Sequence, residues 1–464
     1  MDLERIYSIL PWQLQNVAAS AEGWRVKRLQ FGGDFPHILK EAIDRTFWPL
    51  EKIQDYRNRQ LRDFMRHCYE TTPYFQALLR KSGAIPDDFA CLDSLRRLPV
   101  LTKHIIQEDY TAFLSNRIPS KARLPAHTSG TTGAGLRFST TREAVQRQWA
   151  VWCRYRLWHG IYPGTWCAYF GGRSVVPLSQ DRPPFWRHNY PGKQILFSGY
   201  HMNENNLNYY IEAIRRFQPP WIHGYPSLIS LLASHMIDKK LDIGYQPGWI
   251  TIGAENLLEH QKKLIFEAFG VKARQHYGSV EAVANISECE LGNLHVDEDF
   301  SAVEFLPEES GCRYRVLGTN FTNPAFPLVR YDIGDVVSLS DRQCACNRPG
   351  RVVEDIDGRL EDYVILANGA KLGRTDHIFK DMVNIREAQI YQTEPGAFTI
   401  RVVRGTHYNE TDEAMLLSET AKRVGSDTKV SIEYTSFLKR SATGKLRQVV
   451  SQIPHGRLDA REAT

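Results

Sequence analysis

The sequence lacks any run of about 18 consecutive apolar residues, which argues against a membrane-spanning helix. Its first residues, from Met1 to Arg5, include acidic side chains and no apolar signal core, so we do not expect secretion. Eight cysteines are spread unevenly over 464 residues. In the cytoplasmic location that we expect, they would be thiols or metal ligands rather than disulfides.

A strong excess of one charge is also missing. The chain has 58 basic and 53 acidic residues, and its net charge of +5 is small for this length. We therefore do not expect nucleic acid as a partner. Internal repeats and low-complexity segments are absent as well, while 42% apolar and 24% charged residues are typical of a globular protein.

The length and the pattern of elements predict more than one domain. A chain of 464 residues is too long for one ordinary core. Residues 1–100 have a helical pattern, whereas residues 104–250 alternate strands with helices, which favours a largely parallel sheet covered on both faces. The predicted fold class is therefore α/β, and ligands of such sheets bind beyond the carboxyl ends of the strands.

The stretch from His127 to Gly135 concentrates small polar residues, with four hydroxyl side chains and three glycines in nine residues. Glycines let a backbone approach an anion closely, and the hydroxyls can donate hydrogen bonds to it. The stretch is not a Walker A motif, because it lacks the Gly-x-x-x-x-Gly-Lys-Ser/Thr pattern. Its composition fits a phosphate-binding loop and an ordinary polar connection equally well.

The segment Ser129-Gly130-Thr131-Thr132-Gly133 resembles the phosphate loop of the adenylate-forming superfamily, which contains acyl- and aryl-CoA ligases. The family loop usually continues with Lys-Pro, where this chain has Ala134 and Gly135, so one cation of the triphosphate site is missing. Arg137 is a candidate to replace that cation. Two N-terminal segments, 72–75 and 98–103, are similar to the phenylacetate–CoA ligase branch.

Three further segments are similar to the nucleotide-binding motifs of this superfamily. Residues 249–255 look like its adenine-binding turn, residues 275–281 contain a Tyr-Gly-x-x-Glu motif, and residues 330–335 end in Gly-Asp. In the family the tyrosine packs on adenine, the glutamate binds Mg²⁺, and the aspartate accepts hydrogen bonds from both ribose hydroxyls. A flat ring suits a base, and a carboxylate oxygen suits Mg²⁺.

The last two segments of the resemblance concern a C-terminal lid. Asp357-Gly358-Arg359-Leu360-Glu361-Asp362 is similar to the family hinge, although Glu361 replaces the usual aspartate. Thr443-Gly444-Lys445 resembles the final motif, whose lysine completes adenylation. We therefore predict an AMP-binding N-terminal domain over 1–360, with its helical region at 1–100, and a mobile α/β lid over 361–464.

The resemblance assigns a set of site residues to this chain. Lys445, Glu281 and Thr132 would be catalytic, and Glu281 would bind Mg²⁺. ATP would be bound by Thr128, Ser129, Gly130, Thr131, Thr132, Gly133, Gly253, Ala254, Glu255, Tyr277, Gly278, Ser279, Asp335 and Arg359.

Four residues indicate a second kind of site. Cys289, His295, Cys344 and Cys346 form a Cys₃His set that suits tetrahedral Zn²⁺, although Cys-x-Cys is tighter than the usual spacing. From the spacing, a metal site and unrelated free thiols are equally good interpretations. Members of the phenylacetate–CoA ligase branch carry a similar set with bound zinc, and the resemblance implies a structural Zn²⁺ here.

The implied function is activation of a small-molecule carboxylic acid by ATP to acyl-AMP, followed by transfer to CoA. Two alternatives stay open: an acceptor that is an amine, an amino acid or a carrier protein, and a nucleotide-binding protein without turnover, which Ala134 favours. The sequence does not identify the acid, although aromatic residues fit an aryl group. It leaves the oligomeric state open, with a homodimer as one option.

Overall fold

The computed structural model describes residues 3–128, 136–203, 205–255, 257, 259–307, 313–357, 364–372, 375–379, 384–404, 408–425, 427–436, 438 and 449–453. The helices are α1 Leu3–Ile9, α2 Trp12–Phe31, α3 Phe35–Arg45, α4 Leu50–Thr71, α5 Pro73–Ser82, α6 Leu92–Leu95, α7 Lys103–Glu108, α8 Arg142–Trp158, α9 Leu207–Phe217, α10 Pro226–Lys239, α11 Glu259–Phe269, α12 Asp376–Phe379 and α13 Glu410–Val424.

The strands are β1 Leu124–His127, β2 Arg137–Thr140, β3 Cys167–Gly171, β4 Trp186–Asn189, β5 Gln194–Ser198, β6 Trp221–Gly224, β7 Trp249–Ile252, β8 Ala273–Gly278, β9 Asn285–Glu288, β10 Leu294–Val296, β11 Ala302–Pro307, β12 Tyr314–Thr319, β13 Tyr331–Leu339, β14 Val352–Asp357, β15 Val364–Ile365, β16 Lys371–Leu372, β17 Ile385–Glu394, β18 Ala397–Arg404, β19 Lys429–Tyr434 and β20 Val449–Ser451.

The N-terminal stretch that was predicted to be helical contains α1 to α6. Its helix ends follow local rules, as α5 shows. Pro73 occupies the first helical turn, where its missing N–H costs nothing, and Gly83 ends the helix with a left-handed φ of 67°. Phe75 and Leu79 are buried on one face of α5 and pack into the core around α4.

The main sheet has twelve strands in the order β11-β12-β13-β14-β10-β9-β8-β7-β6-β3-β5-β4. The strands β5, β3, β6, β7 and β8 run parallel to one another, with helices α9, α10 and α11 in the connections from β5 to β8. This confirms the predicted α/β class, since parallel neighbours need such crossovers. In the other half of the sheet, from β8 to β11 in the sheet order, all neighbouring strands are antiparallel. The sequence interpretation did not predict this antiparallel half.

The C-terminal residues form a separate sheet with the order β19-β18-β17-β20. Along the chain, β17 and β18 are followed by α13 and then by β19, a mixed α/β succession. It has its own core, in which Ile390 and Ile400 are fully buried, and Tyr200 of the larger part packs against that core. The domain boundary predicted at residue 360 falls in 358–363, outside the described residues, and stays a prediction.

A buried ionic network joins the N-terminal helices to the main sheet. The guanidinium of Arg154 in α8 lies 2.6 Å from Asp297 and 2.7 Å from Asp299, both in the turn after β10. Arg45 of α3 reaches the same Asp299 at 2.7 Å. These side chains are at least nine-tenths buried, so the charges depend on one another for compensation.

None of the described helices is long and apolar enough to cross a membrane.

Candidate functional site

A cavity of about 1710 Å³ opens beside the carboxyl ends of the parallel strands, where ligands of α/β sheets usually bind. It is lined by α2 and α8 on one side and by segments that follow β7 and β8 on the other. The predicted site residues on its wall are Thr128, Gly253, Ala254, Glu255, Tyr277, Gly278, Ser279, Glu281 and Asp335.

The phosphate loop predicted from the sequence connects the two strands of the β1–β2 hairpin. Thr128 and Leu136 close the stem: the Thr128 N–H donates to the Leu136 carbonyl at 2.8 Å, and the Leu136 N–H donates to Thr128 Oγ1 at 3.0 Å. Seven predicted site residues lie outside the described ranges and stay predictions: Ser129, Gly130, Thr131, Thr132, Gly133, Arg359 and Lys445.

Tyr277 and Asp335 meet although 58 residues separate them in the sequence. The Tyr277 hydroxyl donates to Asp335 Oδ2 at 2.7 Å. Their strands, β8 and β13, are four steps apart in the sheet order, about 19 Å in a flat sheet. The sheet must therefore curve strongly between β13 and β8, and the curvature brings the two predicted nucleotide-binding side chains together.

Two turns beside the cavity contain alanines with left-handed backbone conformations. Ala254, after β7, has φ of 71°, and Ala282, next to Glu281, has φ of 59°. Each conformation costs an L-residue with a Cβ about 1–2 kcal/mol, and such strain is concentrated at functional sites. The sequence interpretation singled out Ala254 by resemblance, but it gave no sign of strain at Ala282.

Glu281 follows β8 and lines the cavity, although only 8% of the residue is exposed. Asn320 fixes the local backbone, because its side-chain amide donates to the Glu281 carbonyl oxygen at 3.2 Å. A carboxylate held at this place has the oxygen chemistry that Mg²⁺ prefers. The Glu281 carboxylate is therefore of the type that the predicted Mg²⁺ ligand requires.

His276, which precedes Tyr277 in β8, also lines the cavity, although successive side chains of a strand point to opposite faces. The ring of His276 packs against the rings of Tyr155 and Trp152, with centroid separations of 5.1 Å and 5.7 Å. Burial, assisted by the charge of Arg156, lowers the pKa of His276 to about 3, so this imidazole is neutral at physiological pH. The sequence interpretation missed His276 as a cavity residue; its place beside Tyr277 was the available signal.

The predicted Cys₃His set forms one cluster. The ligand atoms of Cys289, His295, Cys344 and Cys346 all lie within 4.8 Å of one another. The sulfurs of Cys289 and Cys344 are 3.7 Å apart, against about 3.8 Å expected for two thiolates on tetrahedral Zn²⁺. The Cys346 sulfur lies 3.4 Å from His295 Nε2. The donor set and its spacing fit a closed tetrahedral metal site.

Backbone and side-chain N–H groups support the cluster from outside. The Asn293 amide donates to the Cys344 sulfur at 3.1 Å, and the Arg348 N–H donates to the Cys346 sulfur at 3.4 Å. Such bonds stabilise thiolates, which are the metal-binding form of cysteine. The cluster lies between the β9–β10 region and the connection between β13 and β14, and β9 is the neighbour of β8, which contains Tyr277.

Known proteins that are similar to this chain point to one type of family. Residues 365–452 match the family model of the CapK C-terminal domain. Protein CapK of Staphylococcus aureus is 24% identical over 459 residues, which cover 97% of this chain and all of that protein. Phenylacetate-coenzyme A ligase of Thermus thermophilus is 26% identical over 388 residues, 76% of each chain.

Among solved structures, the fold is similar to that of a 2-hydroxyisobutyryl-CoA ligase in complex with 2-HIB-AMP and CoA. The TM-score is 0.55 at 17% identity, and the match covers 88% of this chain and 91% of that one. The sequence matches, the C-terminal family model and this shared fold agree with one another. The relatives and the C-terminal family model support an adenylate-forming family of the phenylacetate–CoA ligase and CapK type for this chain.

Proposed function

We propose that this protein uses ATP to convert a carboxylic acid to acyl-AMP, releases pyrophosphate, and then transfers the acyl group to CoA. The observation that carries the proposal is the Tyr277–Asp335 contact on the wall of the large cavity. The contact supports the proposal because an aromatic ring that would suit a base lies beside a carboxylate that would accept from ribose hydroxyls, in a space large enough for ATP and a second substrate.

The first step needs charge neutralisation, because a carboxylate must attack an anionic α-phosphate. Mg²⁺ held by Glu281 would supply part of that positive charge. Thr128 and residues 129–133 would hold the phosphates, with Thr132 in a catalytic role, and Lys445 would act only in adenylation. A lid over 361–464 would then move between the two steps, as in other enzymes whose closure assembles a site.

The CoA acceptor is supported by the relatives. The Thermus thermophilus protein is named for CoA ligation, and the structural neighbour contains both an acyl-AMP and CoA. The name of the Staphylococcus aureus relative does not specify an acceptor. An amine, an amino acid or a carrier protein is therefore the second candidate, and it shares the adenylation step.

The deciding experiment is a panel of carboxylic acids scored by acid-dependent ATP–pyrophosphate exchange. Exchange with any acid establishes adenylation, and thioester formation with free CoA then separates CoA from the other acceptors. ATP binding with no exchange for any acid of a broad panel would instead support a nucleotide-binding protein without turnover. Ala134 favours that outcome, because it replaces a family lysine in the phosphate loop.

Asp335→Ala is expected to weaken ATP binding by about 1–3 kcal/mol, the scale of a lost hydrogen bond to a charged group. The change would leave two ribose hydroxyls without their acceptor and remove the partner of the Tyr277 hydroxyl. Calorimetric titration with ATP measures the effect. Asp341→Ala is the matched control, because this exposed carboxyl follows the same strand outside the cavity. Unchanged ATP affinity in Asp335→Ala would show that the ribose is bound elsewhere.

We also propose that the Cys₃His cluster holds a structural Zn²⁺. Three thiolates and an imidazole favour Zn²⁺ over Mg²⁺ or Ca²⁺, which prefer oxygen ligands. Four protein ligands leave no open position for catalysis. Cys289 and His295 are at most 1% exposed, so the metal would be shielded on that side.

Cys344→Ser is expected to lower the zinc content and the melting temperature more than it changes the activity of the folded enzyme. Elemental analysis after a chelator wash measures the zinc. Cys91→Ser is the control, because this thiol lies outside the cluster and should leave the metal in place. Less than about 0.2 zinc per native chain would reject the site, since a closed structural site retains its metal.

A further inference from the structure

One face of α8 lines the cavity, although Cys153 and Trp149 on this face also pack against Phe35. Trp149, Trp152, Cys153 and Arg156 all contribute to the cavity wall. They follow the i, i+3, i+4, i+7 spacing of a single helical face. The cavity therefore has, beside the nucleotide-binding turns, a wall of indole rings with one guanidinium among them.

Arg156 differs in its contacts from Arg147 and Arg154 of the same helix. Arg147 pairs with Glu143 at 2.8 Å, and Arg154 pairs with two buried aspartates. The Arg156 guanidinium instead lies over two indole rings, 5.4 Å from the centre of Trp149 and 4.9 Å from that of Trp221. Of the residues that the structure describes, none gives Arg156 a carboxylate or a hydrogen-bond acceptor.

Among the described residues, aromatic rings and two imidazoles, rather than a paired carboxylate, surround the Arg156 guanidinium. The nearest titratable groups on β6 and β8 are His223 and His276, and burial followed by the Arg156 charge lowers the pKa of each to about 3. Both imidazoles are therefore neutral at pH 7, and no carboxylate is among the groups that shift them. A planar guanidinium that is stacked on rings keeps its N–H donors free for an anion.

The position of Arg156 along α8 separates it from the reacting end of the site. Gln148, on the same helix, donates its side-chain amide to the Ser279 carbonyl at 2.8 Å, beside the predicted nucleotide turn. Arg156 comes eight residues later, about 12 Å further along the helix axis. Consistently, its stacking partner Trp221 is the first residue of β6, whereas the nucleotide turns follow the strand ends.

We propose that the acid activated at this site carries a second anionic group, and that Arg156 binds this group at the end of the cavity away from the nucleotide. The inference rests on the proposed adenylation and names the substrate class of the same site. The reacting carboxylate would meet ATP near Gly278 and Glu281, while the body of the acid would lie against Trp149 and Trp152. A guanidinium recognises a carboxylate or a phosphate through two parallel N–H bonds.

Matched pairs of acids test this inference. Each pair contains a dianion and its monoester: 4-carboxyphenylacetate with its ring-carboxyl methyl ester, and adipate, pimelate and suberate with their monomethyl esters. For the dianion that the wild type uses best, kcat/KM in ATP–pyrophosphate exchange should exceed that of its monoester by about ten- to hundredfold. This ratio is the equivalent of one charged hydrogen bond. Arg156→Gln should remove that preference, and Arg156→Lys should keep part of it.

Arg147→Gln is the control, because it removes a guanidinium from the outer face of the same helix and should retain the preference. Equal use of both members of every pair by the wild type, or a preference that survives in Arg156→Gln, would overturn the inference and leave adenylation intact. A different result, no exchange with any acid, would count against the proposed function.

Calorimetric titration with the same pairs of acids then tests the inference from binding affinity alone, without turnover. The wild type should bind a dianion more tightly than its monoester, and Arg156→Gln should bind both alike. Equal binding by the wild type, or no binding of any dianion at millimolar concentration, would overturn it. Thermal unfolding of each variant shows whether a lost preference comes from the site or from a misfolded chain.

Discussion

Lys445→Ala is expected to lower the rate of acyl-AMP formation by about 10²–10³-fold, the loss seen when a group that stabilises transition-state charge is removed. The lysine belongs to the Thr443-Gly444-Lys445 segment, which lies outside the described residues, so the expectation comes from the family resemblance. The ammonium would neutralise charge while a carboxylate approaches the α-phosphate. ATP–pyrophosphate exchange with a competent acid measures this half-reaction.

The second half-reaction gives the internal control for this variant. Thioester formation from supplied acyl-AMP and CoA should continue in Lys445→Ala, because the lid is expected to carry Lys445 away from the site before transfer. Lys439→Ala, which removes a cation six residues earlier in the chain, should leave both steps close to wild type. Equal damage to both steps by Lys445→Ala would point to a role in folding or in a shared site.

The parts of the site that were predictable are those whose residue types already imply their chemistry. Tyr277 and Asp335 stand in recognisable motifs, and the structure joins them through a 2.7 Å hydrogen bond. Cys289 and Cys344 were grouped by ligand type, and their sulfurs lie 3.7 Å apart. Thiol, carboxylate and aromatic groups in short motifs can be found without knowing the fold.

Arg156 was not predictable in the same way. The apolar spacing of Trp149 and Trp152 indicates a helix with one face turned inward, and the structure has that helix. The pattern cannot tell whether such a face packs against a core or lines a cavity, because both surroundings favour large apolar side chains. From the sequence, Arg156 looks like a solvent-exposed residue at the border of the apolar helix face. Only the position of β6 shows that its guanidinium faces Trp221.

One pairing in the antiparallel half of the main sheet, between β10 and β14, was not predictable for a related reason. Alternation of strands and helices correctly predicts the parallel neighbours β6, β7 and β8, since each crossover is local in sequence. The strand β10 instead pairs with β14, whose residue Val353 lies opposite Leu294. The periodicity of a strand does not identify its partner when the two strands lie so far apart in the sequence.

The ionic network around Arg154 also depends on long-range contacts. Asp297, Glu298 and Asp299 look like an exposed acidic turn in the sequence, yet each is at most 6% exposed. Burial favours the neutral acid at Asp299, but the charges of Arg154 and Arg45 outweigh it and hold its pKa well below the ordinary value. The arginines come from helices more than 140 residues away in sequence.

Arg154→Met is therefore expected to reduce the free energy of unfolding by about 3–5 kcal/mol, the usual loss when one partner of a buried ionic network is removed. Methionine fills part of the space but leaves the charge of Asp297 uncompensated, and Asp299 keeps only Arg45. Urea unfolding followed by tryptophan fluorescence measures the change. Arg147→Met on the same helix breaks only a more exposed pair and should cost about 0.5 kcal/mol or less. Equal losses in the two variants would show that the buried network adds no more stability than a surface ion pair.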